Sequence, residues 1–124
     1  MLTTYTVPKH YPTAGNYTMA VNGPAGKRGK VIDALVYDIT EAFSGTTTGA
    51  QVLVGTVADT NAFFESTASL LETVAVDGVV RLTNSLAGAP LEIGRDESVL
   101  ITFVAPTGTT PTGKGLIDVI IEWY

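Results

Sequence analysis

The chain has 124 residues, 45% hydrophobic and only 15% charged, with a formal net charge of −5 and no cysteine. A single domain of this length can bury enough core to fold without a metal, and the missing thiols exclude a disulfide scaffold, a thiolate zinc site and a cysteine nucleophile. The acidic balance, with a pI near 4.6, argues against nucleic acid as a partner, because phosphate backbones call for clustered Lys and Arg.

No run approaches the roughly 20 apolar residues of a membrane span. Met1 to Gly15 lacks the continuous apolar core of a signal peptide. The expectation is a protein made in a cytoplasm and kept or assembled there, away from membranes. So low a charge content also suggests a surface partly hidden in an assembly.

Residues 1–15, MLTTYTVPKHYPTAG, carry Pro8 and Pro12, scattered aromatics and no sustained period. They read as an extended N-terminal arm, ordered where it lies on its own domain or on a neighbour, with Tyr5, Val7 and Tyr11 to dock it. Residues 16–124 read as the folded domain. Asn16 to Asn22 is a short strand with Tyr17, Met19 and Val21 on one face, and Gly23-Pro24-Ala25-Gly26 is a turn. Lys30 to Phe43 is the longest strand. Val31, Leu35, Tyr37, Ile39 and Phe43 share one parity, while Ile32, Ala34, Val36 and Ala42 share the other. Two apolar faces predict an interior strand.

Ser44 to Gly49 is a turn and Gln51 to Val57 a further strand. Ala58 to Ser66 breaks the β pattern: Asp59 or Thr60 is placed to cap one helical turn that tucks Phe63 or Phe64 against the sheet. Thr67 to Val76 is ambiguous: Ser69 to Thr73, SLLET, offers a helical continuation, and an irregular entry to a strand is favoured. Asp77-Gly78 is a hairpin signal between VAV and VVRLTN. Leu86 to Ile93, with two small residues and a proline, reads as an edge strand or loop.

The last stretch, Glu97 to Tyr124, reads as two β runs around a Gly/Thr/Pro loop, a long hairpin at the centre of the fold. In its second half Ile117, Val119, Ile121 and Trp123 share the parity of a buried face. Seven or eight short strands at this spacing, with almost no helix, predict an all-β sandwich. A jelly roll is preferred and an immunoglobulin-like sandwich is the alternative.

Chemistry is hard to find. Gly108 to Lys114 begins like a phosphate-binding loop, but Gly115 stands where the hydroxyl ligand belongs and a strand follows in place of a helix. His10 is the sole histidine and lies in the arm. Asp33 and Asp38 have opposite parities, so they do not form a carboxylate pair. Asp59 and Glu65 lack the spacing of a calcium loop, and Asp96 with Glu97 marks a solvated turn. Asn16-Tyr17-Thr18 is a formal glycosylation sequon without a secretion signal. Trp123 has core parity, and Tyr124 follows it. No cofactor, metal site or catalytic residue is expected, and the chain reads as a non-enzyme.

GKRGKVIDALVYDITEAFSGTTTGAQVLVGTVADTNAFFES, with the closing VLITFVAPTGTTPTGKGLIDVIIEWY, resembles the head-decoration, cement or minor capsid proteins of tailed bacteriophages. The shared order is a long strand, a Thr/Gly turn, the segment Val52, Val54, Gly55, Thr56, Ala58, Asp59, and a final F-V-A-P-T-G-T stretch. The resemblance implies a homotrimer on the virion surface, made in the bacterial host cytoplasm. Its partner would be the major capsid protein, and it implies no catalytic residue. On this reading the contacts are Tyr5, Val7 and Tyr11 of the arm and Lys27, Arg28 and Lys30 of a basic loop facing an acidic shell. A carbohydrate- or receptor-binding sandwich of a phage tail or fibre is the alternative. It would need exposed aromatics, for which Tyr5, Tyr11, Phe63 and Phe64 are the candidates.

Overall fold

The computed structural model describes residues 1–10, 15–66, 70–84 and 92–124, without the side chains of residues 9, 10 and 84. The strands are β1 (Leu2–His10), β2 (Tyr17–Val21), β3 (Gly29–Ser44), β4 (Gln51–Gly55), β5 (Phe64–Glu65), β6 (Val80–Arg81), β7 (Thr83–Asn84), β8 (Glu92–Ile93), β9 (Val99–Val104) and β10 (Thr112–Trp123). They form two antiparallel sheets. The first runs β1-β10-β3-β6, with β8 also on β3, and the second runs β2-β9-β4-β5-β7.

The chain pairs its ends first and works inward: β1 with β10, β2 with β9, β3 with β6 and β8, β4 with β5. This nested pairing, wrapped into two sheets, is the jelly-roll arrangement of the β-sandwich. The four two-residue strands bring the count above the seven or eight expected.

The segment expected as an arm lies on its own domain. β1 pairs with β10 without interruption from Leu2↔Glu122 to His10↔Lys114. It is the edge of the first sheet, with Val7 turned into the core.

The expected central hairpin does not form. β9 lies between β2 and β4 in the second sheet, and β10 between β1 and β3 in the first. Val99, Ile101 and Phe103 face Ile117, Val119, Ile121 and Trp123 in one buried core. The reason is that each strand has a single fully apolar parity, and both parities are satisfied by stacking across the sandwich. Residues 105–111 then cross the ~10 Å between sheets, pinned by a bridge between Thr48 and Thr107.

The two apolar parities of β3 have a different cause from the one expected. The strand is interior, but its buried residues are Val31, then Ala34 and Val36, then Ile39 and Phe43. The phase changes twice. The register against β10 slips at three places: between Ile120 and Ile121, between Lys114 and Leu116, opposite Asp38, and between Thr112 and Lys114. Asp38 sits at φ 49°, a left-handed conformation that Asp tolerates better than most residues. The one-residue slip at Ile120 accompanies the change of phase between Val31 and Ala34, and the left-handed Asp38 lies within the change between Val36 and Ile39.

The Asp77-Gly78 turn forms, with Asp77 at φ 65° and the Gly78 amide on the Ala75 carbonyl at 3.0 Å. Val74 to Val76 is not a strand, so there is no hairpin. A 3₁₀ turn at Leu70–Thr73 buries Leu71 instead, and the Asp77 amide donates to the Ile39 carbonyl beside the β3 bulge. At 58–66 no helical turn is present. Asp59 accepts the Asn61 and Ala62 amides, through Oδ1 and its carbonyl, and the turn buries both Phe63 and Phe64. Of the 86–93 segment only Glu92 and Ile93 are described, as β8. Residues 67–69 and Tyr11 lie outside the described residues.

Candidate interaction surface

Each sheet turns one face to the core and one outward, and the outward faces differ. On the first sheet the outer rungs mix opposed charges with apolar residues, of which Leu2 and Ile32 are exposed. Lys30 of β3 is registered between Glu122 of β10 and Glu92 of β8. Arg28 bonds Glu92 at 2.9 Å, and Arg81 of β6 approaches Asp33 at 3.3 Å. Thr6 donates to Asp118 Oδ1 at 2.7 Å, and Asp118 also bonds Tyr37, tying β1, β10 and β3 together. Burial, then the Asp118 carboxylate, raises the Tyr37 phenol above its ordinary value. The Arg28 guanidinium, then the Tyr124 hydroxyl, lowers the Glu92 carboxyl. Burial and Glu92 raise the Tyr124 phenol in turn.

The second sheet's outer face is almost free of charge. By register it presents Thr18 and Ala20 of β2, Leu100, Thr102 and Val104 of β9, and Gln51 and Leu53 of β4. Among its described residues Glu65 of β5 alone is charged, and it accepts a bond from Asn61 at 2.9 Å. Thr18 and Thr102 bring their hydroxyls to 3.5 Å. The residues of β4 and β9 here are half-buried by one another. Apart from Glu65 the surface is therefore built of Thr, Ala, Leu, Val and Gln, a composition that loses little on being covered.

Of the six contact residues read from sequence, the five that are described, Tyr5, Val7, Lys27, Arg28 and Lys30, do not gather into one patch. Val7 is 3% exposed and inside the chain's own core. Tyr5 packs against that core, and its hydroxyl receives the Trp123 indole N–H at 3.2 Å. The basic loop is not a bare positive patch. Arg28 is paired with Glu92, Lys30 is flanked by Glu92 and Glu122, and Lys27 shares a cleft with Asp96 and Glu97.

That cleft, about 300 Å³, lies against Trp123 at one end of the sandwich. Its polar groups serve the loops that build it: Asn22 accepts from Ser98 and Asp96 from the Gly26 amide. Gly23 and Gly29 press on the indole so closely that a Cβ on either would stand 2.4 or 2.6 Å from ring atoms. Trp123 is thus a core residue wedged between two glycines, as its parity predicted. Phe63 and Phe64 are also buried, which withdraws them from any sugar platform. Of the exposed aromatics, Tyr17 lies on β2 at the edge of the second sheet and Tyr124 follows β10, an interior strand of the first.

The remaining motifs have structural roles. Asn16, of the formal sequon, accepts the Ala105 amide at 2.8 Å. Gly108 to Pro111 is a crossing loop between the sheets, and β10 begins at Thr112. Among the described residues no three His, Asp or Glu side chains gather as a metal site requires, and no helix is long and apolar enough to cross a membrane. The sequence signal for the outer face of the second sheet was present but unread. Thr18, Ala20, Leu53, Leu100 and Thr102 each alternate with a core residue, and only the sheet order places them side by side.

Fold and surface together define the class: a jelly-roll β-sandwich with one charge-compensated and one uncharged outer face. Comparison with family models, with curated proteins and with solved structures gives no match.

Proposed function

We propose that this chain is a non-enzymatic structural protein of a bacteriophage virion, which binds the outside of the capsid and stabilises the shell as a decoration or cement protein. The observation that carries the reading is the uncharged outer face of the second sheet, set against the charge-compensated face of the first. A decoration protein needs one face that can be covered cheaply and one that stays in water. The sequence resemblance supports the same role, as does a jelly roll, an architecture that recurs in viral capsid and lectin domains. On this reading the second sheet lies on the major capsid protein, and repetition around the shell multiplies a modest contact through avidity. The alternative, a carbohydrate- or receptor-binding module, is weakened by the burial of Phe63 and Phe64.

The test is co-sedimentation with expanded shells of the major capsid protein encoded with this chain. Wild type should pellet with the shells and resist their dissociation. Leu53→Lys combined with Thr102→Lys, which puts charge at the centre of the uncharged face, should remain in the supernatant. Glu122→Gln, on the opposite face, should bind as wild type does. Wild type that ignores the shells, or a Lys pair that still binds, overturns the proposal.

A further inference from the structure

Among the described residues the longest strand edge without a partner is that of β1, and its hydrogen-bonding groups can be assigned residue by residue. The Met1 nitrogen donates to the Trp123 carbonyl at 3.0 Å, and the Trp123 amide donates to the Met1 carbonyl at 3.0 Å. This is a closed antiparallel pair, and the register from there to His10 is unbroken. In such a ladder closed pairs recur at every second residue. Thr3, Tyr5 and Val7 therefore spend their backbone groups on β10. Leu2, Thr4 and Thr6 aim theirs at the open side, and Pro8 offers only a carbonyl there.

Open edges are ordinarily blunted by charge, proline, bulges or cover. The opposite side of the sandwich is covered: the chain leaves β6 through the buried Leu82 and enters the second sheet as β7. β1 has neither a bulge nor a charge from Leu2 to Thr6. Its one guard is Pro8.

We propose that β1 pairs antiparallel with β1 of a second copy across a two-fold axis at Thr4, joining the first sheets of two protomers into one. In this register Leu2 faces the partner's Thr6, Thr4 faces the partner's Thr4, and every free N–H over Leu2–Thr6 meets a carbonyl. Pro8, with no N–H to give, falls outside the paired segment. A shift that sets Pro8 opposite Leu2 loses a hydrogen bond, so the Thr4 register is the one that pairs Leu2, Thr4 and Thr6 with their counterparts. A second copy also suits the charge pattern. At a two-fold axis the residue on the axis meets its equal and its neighbours meet each other's counterparts, and like charges directly opposite are destabilising; Leu2 to Thr6 carries no charge. The inference is independent of capsid binding, which is assigned to the other sheet, and it differs from the trimer implied by the sequence resemblance.

The experiment is the solution mass of the full chain by light scattering from 1 to ~100 μM, a range that detects a micromolar pair. Wild type should reach twice the chain mass of 13.0 kDa. Thr4→Pro removes a free-edge N–H that β10 does not use, and should halve the mass without loss of the β spectrum. Thr4→Lys and Thr4→Glu should each run as single chains and recover the double mass when mixed, because only an axis at residue 4 sets these two side chains together. A wild type that stays single, a wild type of triple mass, or a Lys and Glu mixture that does not pair overturns the proposal.

Discussion

The two sheets share one core and spend their outer faces differently. The first is built from the long strands β1, β3 and β10, and its outer rungs are closed by the chain's own partners: Lys30 between two glutamates, Arg81 on Asp33, Thr6 and Tyr37 on Asp118. The second is built from shorter strands, and its outer rungs are Thr, Ala, Leu, Val and Gln. A sheet face bound for water is helped by opposed charges across strands. A face bound for a partner is better without them, since every charge would have to be desolvated or matched. On the proposed reading the difference concerns function more than fold. If it does, changes in the shared core should cost stability equally from either sheet, and changes on the outer faces should separate stability from binding.

The largest effect should come from the core. Phe103 of the second sheet and Ile121 of the first are both about 1% exposed or less. Phe103→Ala should cost about 3–5 kcal/mol and Ile121→Ala about 2–5 kcal/mol, read by urea unfolding. A cost for Phe103→Ala well below that for Ile121→Ala would mean that the second sheet is only loosely held. The comparison of faces would then lose its footing.

How much of this was legible in the sequence depends on regularity. β10 could be read because its core set keeps one parity from Ile117 to Trp123. β3 reads as interior, which it is, but its two apolar parities reflect changes of phase along the strand and not two covered faces. Only Asp38, at an apolar-to-polar break, hinted at one of those changes. The β9–β10 pair failed for a different reason. A loop of Gly, Thr and Pro between two apolar runs looks the same whether the chain turns back in one sheet or crosses to the other. Which occurs depends on the free places beside β2 and β4, which local pattern does not encode. The contact residues suffered likewise. Val7 and Tyr5 looked spare in a proline-broken segment, and only the register with β10 shows Val7 in the core and Tyr5 on Trp123.

A smaller effect is expected where the two sheets close on Trp123. Gly23→Ala would push a methyl into the indole ring. It should cost about 1–3 kcal/mol, the usual range for overpacking, and the Trp fluorescence should shift with it. Because Gly23 lies in the β2–β3 turn and Trp123 at the end of β10, this tests whether that end is as tightly packed as the strands. Smaller again is Thr6→Val, which removes the donor to Asp118 on the exposed face. The loss should be about 0.5–1.5 kcal/mol, the net worth of one hydrogen bond. Shell binding should be unchanged, since this rung belongs to the face that stays in water.

The smallest effect is set by pH, and its sign can be worked out for the first sheet. Glu92 titrates below its ordinary value of 4.5 because Arg28, and then the Tyr124 hydroxyl, bond its ionised form. A carboxyl whose folded value is depressed adds stability above its unfolded value, and loses it as pH falls through the folded one. Wild type should thus lose a little more melting temperature than Glu92→Gln between pH 5 and about 3. Tyr37 and Tyr124 are shifted the other way. Their contribution is complete below their ordinary value of 10.0 and is lost as pH rises through the raised one, so Tyr124→Phe should flatten the alkaline arm. All three groups border the first sheet's outer face. Shell binding through the second sheet should therefore hold its pH dependence when Glu92 or Tyr124 is substituted. If binding followed either substitution, the charged face would be the one in contact.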